Sequence, residues 1–296
     1  MTRPASLSGV LVALAAIVLA SSPGRAGANG ETPAASSGAL GPVSTAVERT
    51  LKQTVSVSIV LAGARVFGSA PPPLRGSGHF DLASGQGQVT MRGPSGTEKR
   101  IFLPAAIFLH EPATPAGVLP QGKIWISAGL TEYPADVTAF SQFVAEVEGV
   151  NPGLLLEQVA LGAVSAVSLG QHQVAGTPAT EYLVDVDLRR AASAAGATIP
   201  GLQRAIDYEL VAAGGGPTKG GPVLQRIRVW VDGGGRAVQL QESPPGSGIG
   251  TTTLTVGRFK GAFRATTPPR AEVVDIATLT PGGERELIGG VDSDAA

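Results

Sequence analysis

A short glycine-rich stretch is the first part of this chain whose residue types could do chemistry. From Gly117 to Ile124 it reads Gly-Val-Leu-Pro-Gln-Gly-Lys-Ile, which is close to a loop that cradles nucleotide phosphates. Such a loop needs a hydroxyl side chain after its lysine to bind magnesium, and a helix must follow. Ile124 has no hydroxyl, Pro120 lacks a backbone amide, and the residues after Lys123 alternate as in a strand. The stretch is therefore interpreted as a chance match.

Three histidines and two aspartates are the other candidates for catalysis or metal binding. His79, His110 and His172 show no local pairing typical of a zinc site. Asp185 and Asp187 alternate with apolar residues, which favours a solvated strand face over a pair of catalytic carboxylates. No Gly-x-Ser-x-Gly turn for a serine nucleophile occurs. We therefore expect no enzyme activity, no metal site and no cofactor.

The composition excludes further classes of function. The chain has 296 residues and a net charge of −1, from 22 basic and 23 acidic residues. No basic surface for nucleic acid is therefore expected. The absence of cysteine rules out disulfides, thiolate metal sites and lipid attachment to an N-terminal cysteine. Because only 4% of residues are aromatic, the core must consist mainly of aliphatic side chains.

Alternating apolar and polar residues dominate the middle of the chain. This period of two is typical of antiparallel strands that are buried on one face only. The predicted strands are 54–61, 78–82, 88–92, 100–103, 107–110, 123–127, 164–169, 171–174, 180–188, 223–231, 236–241, 250–256 and a last one from Phe263 onward.

Helical spacing interrupts this pattern, and the predicted helices are 43–53, 137–147, 152–162 and 202–211. Asn151 is a suitable N-cap, Pro152 suits the first helical position, and Gly162 ends the third helix. Apolar helices in a chain rich in strands need an apolar surface to cover. The pattern therefore predicts an α+β fold in which helices pack on one face of an antiparallel sheet.

Four segments are expected along the chain. Residues 1–28 have the basic start, apolar run and small residues of a signal peptide, which predicts export. Residues 29–42 are predicted to form a flexible linker, 43–276 the folded domain, and 277–296 a disordered tail. The mature protein is expected to be secreted or to stay in the extracytoplasmic cell envelope.

Trp125 and Trp230 are large apolar residues on the nominally polar face of their strands. Either a loop or helix covers them, or they contact a partner protein or the membrane interface. Both interpretations remain open at the level of sequence.

Four stretches, taken in order, resemble one protein family. They are Asn151–Val159, Val167–Tyr182 running on to Leu188, Ile227–Asp232 and Pro268–Asp275. In this order they resemble the actinobacterial LppX/LprG-type lipid-carrier lipoproteins, which are relatives in fold of the LolA and LolB carriers. The resemblance covers about residues 43–276.

The resemblance implies a strongly curved antiparallel sheet, an incomplete barrel, with helices packed on its concave face. It also implies an apolar cavity between sheet and helices that holds the acyl chains of a lipid or glycolipid. The candidate cavity residues are Val57, Ile59, Val89, Met91, Ile124, Ile126, Leu155, Val159, Val184, Val186, Ile227 and Val229. The family's anchor cysteine is missing from Leu19-Ala20-Ser21-Ser22, so no lipid anchor is expected.

The function expected from these observations is an exported, non-enzymatic protein that binds lipid acyl chains, with lipid transport in the cell envelope as its role. We expect a monomer that makes at most transient contact with the membrane. The alternative is an envelope protein-interaction or scaffold module with a filled core.

Overall fold

The computed structural model describes residues from Ser37 to Thr278, with gaps. The described residues are 37–62, 73–93, 96–110, 119–131, 144, 147–196, 200–212, 221–243, 250–258 and 261–278. Within them, no helix has the length and the apolar character needed to cross a bilayer.

Four helices have bounds among the described residues. They are α1 (Leu40–Thr50), α2 (Pro152–Gly162), α3 (Leu188–Ala195) and α4 (Pro200–Ala212). The strands are β1 (Thr54–Ala62), β2 (Leu74–Asp81), β3 (Gln86–Gly93), β4 (Gly96–Leu103), β5 (Ala106–His110), β6 (Trp125–Gly129), β7 (Ala163–Val174), β8 (Thr177–Asp187), β9 (Leu224–Asp232), β10 (Ala237–Glu242), β11 (Thr251–Arg258) and β12 (Val273–Asp275).

All twelve strands belong to one sheet. Their order is β12-β6-β5-β4-β3-β2-β1-β11-β10-β9-β8-β7. Every neighbouring pair is antiparallel except β12 and β6, which are parallel. The sheet is not closed, because β12 and β7 lie at opposite edges. The predicted α+β class with an open, mostly antiparallel sheet is therefore confirmed.

One face of the sheet, called here the covered face, carries the main core. Each of the twelve strands contributes at least one buried apolar side chain to a single cluster that runs from Val274 in β12 to Ala166 in β7. Helix α1 packs on β7, β9 and β10, and α2 packs on β7 and β8. Over the other half of the sheet, Val144, Val147 and Val150 belong to the same cluster.

The opposite face, called here the outer face, carries two smaller apolar clusters. Trp125 packs there with Ile101 and Phe108 under Ala265, from the segment that leads to β12. Trp230 packs with Val174, Ala179 and Val238 near the other edge. Trp125 is 9% exposed and Trp230 is 7% exposed. The interpretation in which neighbouring parts of the chain cover both tryptophans is the one that the structure supports.

Helix α2 begins and ends where the sequence predicts. The side chain of Asn151 accepts a hydrogen bond from the Gly153 amide at 3.0 Å, and Pro152 occupies the first helical position. At the other end, a Cβ added to Gly162 would come within 2.7 Å of Val186 and 2.9 Å of Ala191. Glycine is needed there because the helix end lies directly against β8 and α3.

Several predicted elements differ from the observed ones. Residues 164–169 and 171–174 form one strand, β7, whose pairing with β8 shifts between Ser168 and Gly170 because of a bulge. The chain from Phe263 does not begin a strand; it stays without regular structure until Arg270, and β12 follows at Val273. Helix α1 starts at Leu40, three residues before its predicted start.

Helix α3 was not predicted. The strand pattern before it extends to Leu188, whereas the observed strand ends at Asp187. The Asp187 side chain accepts hydrogen bonds from the amides of Arg189 and Arg190, at 3.0 and 3.5 Å, and so caps α3. Most of the helix predicted for 137–147 lies outside the described residues, as do the predicted signal peptide, most of the linker and nearly all of the tail. The segment boundaries therefore remain predictions.

Candidate functional site

Eleven of the twelve predicted cavity residues lie together on the covered face. Val57, Ile59, Val89 and Met91 come from one half of the sheet, and each is at most 3% exposed. The others in the same cluster are Ile126, Leu155, Val159, Val184, Val186, Ile227 and Val229. The structure thus brings these residues into one apolar layer; their role as a lipid site remains a prediction.

Ile124 is a correction to the predicted set. Its side chain is 45% exposed, because β6 begins one residue later, at Trp125. The Ile124 amide donates to the Glu272 carbonyl at 2.9 Å, at the end of the sheet. The alternation with Ile126 is therefore real, but it extends beyond the part of the sheet that the helices cover.

A small cavity lies between α2, α4 and the end of β10. Its volume is about 20 Å³, roughly one water molecule and far below the roughly 300–1,000 Å³ of pockets that bind small molecules. Apolar residues of α2 and α4 contribute to its wall, but three carboxyl groups do so too, those of Glu148, Glu209 and Glu242. This cavity is too small to hold an acyl chain.

Four polar side chains form a hydrogen-bonded row, called here the polar cluster, and three of them (Gln158, Glu209 and Glu242) line this cavity. Gln158 of α2 donates to Glu209 of α4 at 3.2 Å and to the Gln225 side-chain oxygen of β9 at 2.6 Å. Gln225 in turn donates to Glu242 of β10 at 3.2 Å. The row connects α4 to the sheet through amides. Among the described residues, neither of its carboxyl groups forms an ion pair.

Burial raises the pKa of the carboxyl groups at the cavity. Removal from water raises the pKa of Glu209 to about 7, although the hydrogen bond from Gln158 acts in the opposite direction. The pKa of Glu242 is also raised well above its ordinary value, by burial first and then by the nearby Glu209 charge. Burial also raises the pKa of Glu148 to about 7, against the hydrogen bond from Asn151 and the charge of Arg100. Near neutral pH, this site therefore holds protons that ordinary carboxylates have lost.

An open groove of about 600 Å³ lies on the other side of the polar cluster. It runs along β8, β9 and β10 and is lined on the outer face by Leu183, Asp185 and Arg228, with the exposed Leu224 at one end. Gln225 and Glu242 also line this groove, and Glu242 lines the small cavity as well. The polar cluster thus stands between the groove and the interior.

The residues considered for catalysis in the sequence lie apart. His79, His110 and His172 belong to β2, β5 and β7, which are not neighbours. Asp185 forms an ion pair with Arg226 at 3.4 Å, whereas Asp187 caps α3. Among the described residues, no group of three or more histidine, aspartate or glutamate side chains could hold a metal ion.

The polar cluster was missed by the sequence analysis, although a signal for it exists. Gln225 precedes Ile227 and Val229 in the same alternation, and Glu242 follows Leu240 in the same way. Both therefore occupy positions of the covered face. A polar side chain at a position where the period demands an apolar one indicates either a functional group or a buried polar contact.

Comparison with known proteins finds no matching family model and no matching curated protein. Among solved structures, the chain is similar to LppX from Mycobacterium tuberculosis, with 12% identity over 78% of this chain and 100% of that one, at a TM-score of 0.43. It is also similar to LprF from Mycobacterium bovis, with 12% identity over 79% and 98% of the two chains, at a TM-score of 0.40. A third similar structure is the MucA/MucB complex of Pseudomonas aeruginosa, with 10% identity over 84% and 62%, at a TM-score of 0.32.

Proposed function

We propose that this protein is an exported, non-enzymatic binding protein that holds the acyl chains of a lipid or glycolipid between its sheet and its helices. The observation that carries the proposal is the extent of the apolar covered face, to which every strand contributes. Each methylene that moves from water into such a surface contributes roughly 0.8 kcal/mol. A carrier therefore needs a large apolar surface and no reactive groups.

The packing of this face decides how a ligand could enter. Ile59, Val89, Val184, Ile227 and Val229 are fully buried as the structure stands. An acyl chain can reach them only if covering elements move away from the sheet, because these side chains are already buried in one apolar cluster. The proposal is therefore a carrier with a closed form, which opens to take up its ligand.

A second candidate function follows from the same packing. A filled core suits an envelope protein-interaction or scaffold module, which needs no internal space. The tryptophans that the sequence offered as its contact surface are both buried, so such a partner would have to bind elsewhere. The open groove along β8, β9 and β10, with a volume of about 600 Å³, is a concave surface that such a partner could occupy.

Native mass spectrometry of the purified protein separates the two candidates. We expect a population whose mass exceeds that of the polypeptide by one lipid, and organic extraction should release that lipid. The control is the same preparation after delipidation and refolding, which should regain mass when mixed with lipid vesicles. A bare polypeptide mass in both samples, with no uptake of a phospholipid that carries a fluorescent acyl chain, would contradict the carrier and leave the interaction module.

A further inference from the structure

Helices α3 and α4 form an apolar cluster that is separate from the main core. Leu188, Ala191, Leu202, Ile206 and Leu210 are buried in it and pack against the outward side of α2. The sheet does not contribute to this second cluster apart from its margin. The hydrophobic effect therefore holds α4 to its neighbouring helices more directly than to the sheet.

Polar contacts join α4 to the rest of the molecule. Near its start, Arg204 donates to the Leu130 carbonyl at 3.0 Å. Near its end, Glu209 accepts from Gln158, the first member of the row that continues to Gln225 and Glu242. The inward contact at this end of α4 thus depends on a row of four side chains, in which two amides lie between two carboxyl groups.

Charged groups lie on the elements that pack against this row. On α4 they are Arg204 and Asp207: burial lowers the pKa of Arg204 and raises that of Asp207, and the attraction between their charges opposes both shifts. On α2 the group is Glu157, whose pKa is raised by burial. The segment before α2 supplies Glu148, next to Arg100 of β4.

The groove side of the row adds Asp185 of β8 and Arg226 and Arg228 of β9, which line the open groove together with Gln225 and Glu242. The buried side chains of α3 are apolar, and Thr252 lies opposite Glu242 on β11. On the covered side, the charge of Arg100 lowers the pKa of Glu148, and the charge of Arg204 lowers the pKa of Asp207.

We propose that α4 is a lid, closed while Glu209 and Glu242 are protonated and each accepts a hydrogen bond from a glutamine amide, and released from the sheet when both carboxyl groups ionise. Release would join the small cavity to the open groove, because Glu242 lines both. The role of the lid in admitting acyl chains rests on the proposed function. The pH-dependent movement of α4 does not depend on that function.

The direction of the pH effect follows from the raised pKa values. The closed form binds protons above the ordinary carboxyl pKa of 4.5, whereas an open form in water would release them. Stabilisation of the closed form is complete below that ordinary value and is lost as the pH rises through about 7 for Glu209. Each unit by which a pKa is raised corresponds to about a tenfold change in the equilibrium between the two forms.

Hydrogen exchange of the α4 amides measures the lid directly. After correction for the intrinsic exchange rate, protection of residues 200–212 should fall at least about tenfold between about pH 5.5 and about pH 8. Protection of α1 should change much less. In Glu209→Gln and Glu242→Gln, which stay neutral, α4 should keep its protection throughout. Asp207→Asn is the matched control on the same helix and should retain the wild-type fall.

Three results would overturn the lid. They are constant protection of α4 in the wild type, an undiminished fall in both glutamine variants, and a parallel loss in α1, which would indicate global unfolding. The wild-type series decides the first and third of these even if a variant fails to fold.

A parallel uptake assay keeps the lid and the carrier function distinguishable. The probe is a phosphatidylcholine with one fluorescent acyl chain, whose headgroup keeps its charge over this pH range. If the wild type takes up the probe faster at about pH 8 than at about pH 5.5, and if Glu242→Gln shows no such difference, the result supports both the lid and the carrier function. If the α4 amides exchange as expected but the probe is not taken up at either pH, the result would contradict the carrier function alone. Uptake at both pH values with unchanging α4 exchange would contradict the lid alone.

Discussion

Glu181 and Glu242 belong to the same sheet and are almost equally buried, at 4% and 5% exposed, but their surroundings differ. Glu181 lies on the outer face, where Arg228 contacts it at 2.8 Å and His172 at 3.0 Å. Glu242 lies on the covered face, where it accepts from the Gln225 amide and where the charge of Glu209 raises its pKa.

The difference shows that two almost equally buried carboxyl groups behave differently when their neighbours differ. A buried carboxyl group that accepts from a guanidinium on the next strand holds the two strands in register. A buried carboxyl group with amides and a second carboxyl group is driven to bind a proton. The first arrangement is structural, whereas the second can change its charge near neutral pH.

The largest effect should come from removing the cation on the outer face. Arg228→Met leaves the buried Glu181 without its guanidinium and should lower the free energy of unfolding at pH 7 by about 2–3 kcal/mol. Urea denaturation followed by circular dichroism measures this loss. The matched control is Arg226→Met, whose side chain is 75% exposed and should matter little. Equal losses in the two variants would show that the burial of Glu181 has no energetic consequence.

The pH dependence of stability should distinguish the covered face. Because the raised pKa values of Glu209 and Glu242 mean that the folded state binds more protons than the unfolded state, stability falls as the pH rises from about 5 to about 8. We expect Glu209→Gln and Glu242→Gln each to reduce that fall by about 1–3 kcal/mol relative to the wild type. Urea denaturation at each pH checks it, and superimposable curves would contradict neutral carboxyl groups in this cluster.

The same substitution on the two faces should have unequal results at about pH 6. Glu181→Gln exchanges a charge-assisted contact with Arg228 for a neutral one and should destabilise by about 1–2 kcal/mol. Glu242→Gln replaces a protonated carboxyl group by an amide of the same shape and should change stability by less than about 0.5 kcal/mol. Thermal melts of the two variants side by side are sufficient. A larger loss for Glu242→Gln would reverse the comparison.

The smallest effect concerns a carboxylate at a helix end. Asp187→Ala removes the cap of α3 and should lower the free energy of unfolding by about 1 kcal/mol. The matched control is Asp185→Ala, because Asp185 is two residues away on the same strand and its ion pair with Arg226 is exposed. Equal losses in chemical denaturation would show that the capping contacts contribute nothing beyond surface charge.

The strands were the most predictable part of the fold. Residues such as Val57 and Ile59 alternate with serines, and Ile227 and Val229 alternate with arginines. This alternation alone predicts that one face of each strand is buried. The strand order was not predictable, because pairings such as β1 with β11 join residues about two hundred positions apart. Nothing local in either strand specifies such a partner.

Helix α3, the polar cluster and the position of Ile124 could not be predicted, for physical reasons. Helix α3 is short and follows β8 without a loop, so Asp187 fitted the alternation of the strand as well as it fits a cap. The polar cluster was missed because its members come from four elements, and only folding brings Gln158, Glu209 and Glu242 together. Ile124 was placed inside because alternation carries no information about where a strand begins.

Photoaffinity labelling tests most directly whether acyl chains lie between the sheet and the helices. The probe is a phosphatidylcholine with a photoreactive group near the end of one acyl chain, and peptide mass spectrometry then locates the cross-links. The account predicts labels within Thr54–Ala62, Gln86–Gly93 and Leu224–Asp232, at covered-face residues such as Ile59, Val89 and Val229. Labels confined to the outer groove, at Leu183 or Leu224, or no specific label at all, would contradict it.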